Sequence, residues 1–284
     1  MTNFTDINNT FESYQKIINF YHEHKDKNFD NISIELQNWF AANMCAALGA
    51  ILDLFTEQLN FISFNKIAKT IEQVLQKNDF LTYYGKKKEI DSNNTTIKFQ
   101  KLTPEDGKYF NSYVINELIN RSELPKMSIA VKEKIVEAIY EIFVNAQIHS
   151  ETKNIYTCGQ FFPKKNKIEF TIADTGIGFK NKINKKFNRS LNATDAIKWA
   201  VEDKHTTKDV SGGIGLALLK EFIILNKGKI QIISNDGFYE FGHEGESIKL
   251  FSAEFPGTIV NLEFCTNDND SYLLKSEIDN NDIF

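Results

Sequence analysis

Three side chains set four residues apart, Glu141, Asn145 and His149, carry the first chemical signal in this chain. A period of four stacks a carboxylate, an amide and an imidazole on one face of a helix. The apolar residues Ile135, Ala138, Ile139, Ile142 and Phe143 mark a different, buried face. An amide oxygen can ligate a hard cation such as Mg²⁺. A carboxylate one turn away can order a water or take its proton. Downstream, an apolar strand from Ile168 to Ile172 runs into Asp174-Thr175-Gly176-Ile177-Gly178. Later, Ser211-Gly212-Gly213-Ile214-Gly215 opens directly into a helix from Leu216 to Asn226. Glycine lets backbone amides approach a ligand closely, and amides at a helix start attract anions. The donors His205-Thr206-Thr207-Lys208 stand just upstream of those glycines, which suits Thr207 and Lys208 to phosphate contact.

The order of these motifs resembles the ATP-binding domain shared by DNA gyrase, heat-shock chaperone, histidine kinase and mismatch-repair MutL proteins, the GHKL superfamily. The resemblance covers about residues 125 to 265. It implies an α+β fold, a two-layer sandwich of helices on a mixed β-sheet (the Bergerat type), with ATP and Mg²⁺ as cofactors. Carried over, Asn145 would ligate Mg²⁺ and Glu141 would orient or deprotonate the attacking water or hydroxyl. Asp174 would accept from the adenine amino group, with Gly176 and Gly178 packed beneath the base. Gly212, Gly213 and Gly215 would offer amides to the phosphates. Thr258 would close the adenine pocket, and His149 would stand where the kinase branch often has a basic or aromatic residue. Residues 179 to 210 would be a lid.

No Gly-x4-Gly-Lys-Ser/Thr occurs, and no Gly-x-Gly-x-x-Gly follows the first strand, so P-loop and dinucleotide enzymes are disfavoured. Three functions fit the resemblance. One is a regulatory ATPase whose lid switches contacts with partner proteins, encoded nearby. A second is a kinase of the anti-sigma-factor or sensor type, acting on serine or histidine. The third is a module that senses ATP without turnover. No acceptor-histidine box precedes the domain: His22-Glu23-His24 lacks the proline that would follow, and reads as solvated helix-end residues. The retained Glu141 speaks for chemistry, and the ATPase reading is preferred. A homodimer is compatible with it.

The elements that must position these residues form two regions and a tail. Residues 1–92 alternate strand and helix, an α/β region that faintly resembles a STAS-type regulatory domain. Within it, Phe4, Ile7, Phe11, Tyr14, Ile18 and Tyr21 predict one amphipathic helix over 4–24. Ile32, Ile34 and Leu36 predict a strand, and Asn38 a cap for the apolar helix that follows. The polar run from Lys86 to Asn94 reads as a linker. Residues 93–266 form the nucleotide domain, with Ser128 capping the helix that bears Glu141. Lys180 to Arg189 reads as basic and loop-like, Ala193 to Val201 as a short helix, and Gly237 to Phe251 as loop or hairpin. Residues 267–284 read as a loose acidic tail in which Tyr272, Leu273 and Leu274 could dock.

A formal charge of −5 over 284 residues gives no general drive towards nucleic acid or anionic membrane. Cys45, Cys158 and Cys265 lie far apart with no metal spacing. No stretch approaches the ~20 apolar residues of a spanning helix, and the first residues lack the pattern of a signal peptide. A cytoplasmic protein is expected.

Overall fold

The computed structural model describes residues 2–149, 152–201 and 214–278. Its first element is a strand, β1 (Thr2–Ile7), and helix α1 (Phe11–His24) begins only after Thr10, whose side chain caps Ser13 N. The single helix expected over 4–24 is therefore a strand plus a helix. Asp6 has φ 56°, and the pairing of β1 with β2 (Asn31–Phe40) steps there from Thr5↔Gln37 to Ile7↔Phe40. A bulge of this kind inserts residues into the ladder. It turns both Phe4 and Ile7 inward at a three-residue spacing that imitates helical periodicity. Asn38 is part of the same irregularity, with φ 59° and its Nδ2 donating to Asp6 Oδ2 at 3.2 Å. It does not cap a helix. A 3-10 turn over Ala42–Met44 opens α2 (Cys45–Glu57) instead.

β3 (Phe61–Ile67) completes a parallel sheet in the order β1-β2-β3, and α3 (Lys69–Lys77) follows it. From Cys45 to Leu52 every residue of α2 is buried. A helix apolar all round needs cover on all sides, and α2 obtains it by packing on the N-terminal strands and on a second sheet. Gly49 permits the close approach, since a Cβ there would lie 2.8 Å from the Phe99 ring.

The second sheet contains β4 (Thr96–Leu102), β6 (Ile155–Phe162), β7 (Lys167–Asp174), β8 (Lys229–Gly242) and β9 (Gly245–Cys265). Its order is β4-β6-β7-β9-β8, and every adjacent pair is antiparallel. The α+β expectation holds, but this sheet is antiparallel where a mixed one was expected. The parallel pairings are in the N-terminal sheet and in the short pair β5 (Lys126–Met127) with β10 (Ser271–Tyr272).

Strand alternation decides what covers each face. Ile168, Phe170 and Ile172 of β7, with Val260, Leu262 and Phe264 of β9, face one core. That core is shared with α4 (Gly107–Val114), α5 (Ile129–His149) and α8 (Ile214–Leu225). The odd residues face the N-terminal region. Ala173, Ile233 and Ile259 join its apolar core, and Glu169, Thr171, Gln231 and Asn261 meet it through a buried hydrogen-bond network. In that network Asn43 Nδ2 lies 2.9 Å from Thr171 Oγ1 and 2.7 Å from Asn9 Oδ1, and Asn261 Nδ2 donates to Glu169 Oε2 at 2.6 Å. The two expected layers thus gain a third, supplied by the N-terminal region. The Lys86–Asn94 run separates two sheets in sequence, yet their side chains pack into one core.

Past β7, α6 (Gly178–Phe187) replaces the loop expected over Lys180–Arg189, burying Ile183, and α7 (Ala193–Val201) matches expectation. The outer halves of β8 and β9 form a hairpin that turns at His243-Glu244, and Phe251 stacks on Phe11 with centroids 4.5 Å apart. The tail is docked as far as α9 (Lys275–Ile278). Tyr272 lies edge-on against Phe222, and Ser128 Oγ donates to Glu277 at 2.7 Å. His24 is buried beside Phe20 and Phe55 rather than solvated as expected, whereas His22, in the last turn of α1, is partly exposed and contacts the Glu254 carbonyl at 2.7 Å.

Candidate functional site

Asp174 ends β7 with its side chain on the helix-covered face, directly opposite Thr258 of β9. Its Oδ1 accepts from Gly176 N at 2.8 Å, so the Asp-x-Gly spacing closes a tight turn around the carboxylate. The group is 6% exposed. Burial pushes its pKa up to about 7, against the opposing pull of the Gly176 N–H, Lys182 and the Thr258 N–H. A carboxylate excluded from water in this way is short of donors, and an incoming N–H would relieve it.

The neighbouring turn is held from the side. Ile177, which precedes α6, offers no side-chain cap. The exposed amides of the first helical turn are met instead by β8: Phe179 N donates to Ser234 Oγ at 2.8 Å and Lys180 N to Asn235 Oδ1 at 3.2 Å. Gly178 has φ 73°, and a Cβ there would sit 2.4 Å from Asn235 Oδ1. Thr258 Oγ1 is 3.1 Å from Ser234 Oγ, linking the turn to the Asp174 strand pair. Gly257 is needed too, since its Cβ would meet the Asp174 carbonyl at 2.0 Å.

α5 is capped as expected, with Val131 N donating to Ser128 Oγ at 3.1 Å. Ile135, Ala138, Ile139 and Phe143 are fully buried, whereas Glu141 and Asn145 are half-buried on the adjoining face. Among the described residues neither side chain has a hydrogen bond or ion pair. His149 is the last residue of α5, and its side chain lies outside the described residues. Thr152, three residues beyond, is itself bonded to the Asp174 turn. Its Oγ1 accepts from Thr175 N at 3.2 Å and lies 3.2 Å from Thr175 Oγ1.

α8 ends just before Asn226, whose Nδ2 donates to the Cys265 carbonyl at 3.0 Å, far from Thr258 along β9. β8 then returns from Lys229, opposite Glu263, to Ser234, opposite Thr258. α8 packs on β8 and on α5. Thr207, Lys208, Gly212 and Gly213 lie outside the described residues.

The structure thus gathers Asp174, Gly176, Gly178 and Thr258 into one contact set, to which Thr152 is also bonded. Sequence reasoning missed Thr152, Ser234 and Asn235. Of these only Asn235 carried a signal, because asparagine tolerates the positive φ of 54° it adopts. Among the described residues no three His, Cys, Asp or Glu side chains are placed to hold a metal, and no helix is long and apolar enough to cross a membrane. No protein-family model matches this chain, and no curated protein does.

Proposed function

We propose that the chain binds Mg-ATP at the Asp174 end of the antiparallel sheet and hydrolyses it, with partner proteins reading the nucleotide state. What carries this reading is the buried Asp174 turn, closed by the Gly176 amide and bonded to Thr152, which follows the helix bearing Glu141 and Asn145 by three residues. The GHKL resemblance supplies the identity of the nucleotide. The donor-poor carboxylate of Asp174 suits the exocyclic amino group of adenine and disfavours the carbonyl that guanine presents there.

Asn145 would contribute an amide oxygen to Mg²⁺, the remaining ligands being phosphate and water, so a cluster of acidic ligands is not needed. When bound there, Mg²⁺ would supply charge neutralisation to the phosphates. Glu141, one turn earlier, would hold the attacking oxygen and accept its proton. A serine or histidine kinase would use the same carboxylate on a protein hydroxyl or imidazole, and remains the runner-up reading.

Two variants on one helix face separate these roles. Glu141→Ala should keep most Mg-ATP affinity by calorimetry and lose turnover by roughly 10²–10⁴-fold. Asn145→Ala should lose affinity and turnover together. Native affinity and rate in both variants would rule the site out. Label from γ-phosphate ATP appearing on a partner protein, rather than as free phosphate, would select the kinase.

A further inference from the structure

Charge is unevenly distributed along this acidic chain. Residues 180–209 carry eight Lys and Arg against four Asp and Glu, while the whole chain has a formal charge of −5. The described part of that excess lies on the last turns of α6 and on α7. Lys185, Lys186, Phe187 and Arg189 are exposed, and Trp199 is half-buried beneath them. The rings of Phe187 and Trp199 lie 5.1 Å apart, inclined at 57°. The Arg189 guanidinium stands 5.3 Å from the Trp199 centroid and 5.8 Å from that of Phe187, and Lys186 Nζ is 5.9 Å from Phe187. Cations near ring faces favour this arrangement. Aromatic and arginine side chains side by side are enriched at protein hot spots.

We propose that this α6–α7 surface docks an acidic segment of a partner protein that also carries an aromatic or aliphatic side chain. Complementary charge would bring the segment to Lys185, Lys186 and Arg189, and its apolar side chain would cover Phe187. A nucleic acid fits less well. Its charges continue every few ångströms along a rod, which would run off this short basic surface onto an acidic body. A peptide of a few residues touches the basic surface alone. The inference rests on the proposed nucleotide reading only in setting the docked segment next to a nucleotide, since α6 starts at Gly178 beside Asp174.

The test uses the full chain in a Trp39→Phe background, leaving Trp199 as the single tryptophan of the two in the sequence. The probes are a fluorescein-labelled peptide, Asp-Glu-Glu-Phe-Asp-Glu-Leu-Asp, and a labelled thymidylate oligonucleotide of the same length, at about 0.15 M salt. The peptide should raise anisotropy saturably and shift Trp199 emission. Joint Lys185→Glu, Lys186→Glu and Arg189→Glu should weaken it at least about tenfold, and Phe187→Ala about three- to tenfold. No saturable binding, equal binding by the charge-reversed protein at a matched melting midpoint, or tighter binding of the oligonucleotide would each overturn the proposal. ATP calorimetry is run in parallel. Peptide capture without ATP binding upholds the surface and defeats the nucleotide reading, and ATP binding without peptide capture does the reverse.

Discussion

Replacing Asp174 by asparagine should make the protein more stable while abolishing its preference for ATP. The side chain is nearly excluded from water, and burial raises its pKa from 3.8 to about 7. A tenfold change in proton affinity corresponds to about 1.4 kcal/mol. The displacement therefore amounts to about 4 kcal/mol against the ionised folded state, less whatever the site relaxes. The sign follows from proton counting. Between about pH 4 and pH 7 the folded protein holds a proton that the unfolded chain has released, so stability falls as pH rises through that window. Above pH 7 the penalty is complete; below pH 4 it is absent. Asparagine keeps an oxygen for the Gly176 amide and carries no charge. Urea titrations should show Asp174→Asn stabilised by about 1–4 kcal/mol at pH 8 and by almost nothing at pH 4. The same variant should bind ATP poorly, because its amide nitrogen would oppose the adenine amino group, and its ATP-over-GTP preference should collapse. A loss of stability at pH 8, or a gain that persists unchanged at pH 4, would refute the assignment of a water-starved carboxylate. Equal binding of ATP and GTP by the native protein would refute its role as base reader.

Three further outcomes test the frame around the site. Gly178→Ala should lower the urea midpoint by more than Gly85→Ala; both glycines have positive φ, but only Gly178 faces an obstructing atom, Asn235 Oδ1 at 2.4 Å, and αL strain in a residue other than glycine costs about 1–3 kcal/mol. Asn43→Ala should cost about 1–3 kcal/mol in chemical denaturation, because it removes the buried amide that bonds Asn9, Thr171 and Asn261 at once and leaves a gap in that network. Burial depresses the pKa of His24, so the unfolded chain takes up the proton first and stability should decline as pH falls through about 6.5. His24→Phe, which keeps a ring against Phe20 and Phe55, should flatten that decline in thermal scans at pH 5 to 7.

The site motifs were legible because they are local. The period of α5, its Ser128 cap, the β6–β7 pair and the Asp174 turn all depend on residues within a few positions of one another. Errors arose where distant chain decided local form. The bulge at Asp6 is stabilised across the sheet by Asn38, and without that partner the spacing of Phe4 and Ile7 is indistinguishable from a helix. α6 lacks a cap in its own sequence and borrows Ser234 and Asn235, more than fifty residues away, so its basic run reads as a loop. The tail looks loose by composition, yet β10 pairs with β5, which precedes α5 in the chain. His24 looks solvated because its cover, Phe55, belongs to a different helix.

β7 is one strand thick between two environments. Ala173 belongs to the core shared with the N-terminal region, and Asp174, the very next residue, turns its carboxylate to the candidate site. The same holds across the ladder, where Ile259 adjoins Thr258 and Ile233 adjoins Ser234. Any ligand or modification that shifted α1 or α2 by a fraction of an ångström would press on the backbone that sets the width of that site, with no intervening layer to absorb it. The core of the N-terminal region and the candidate site are thereby separated by a single peptide bond at each of three strands.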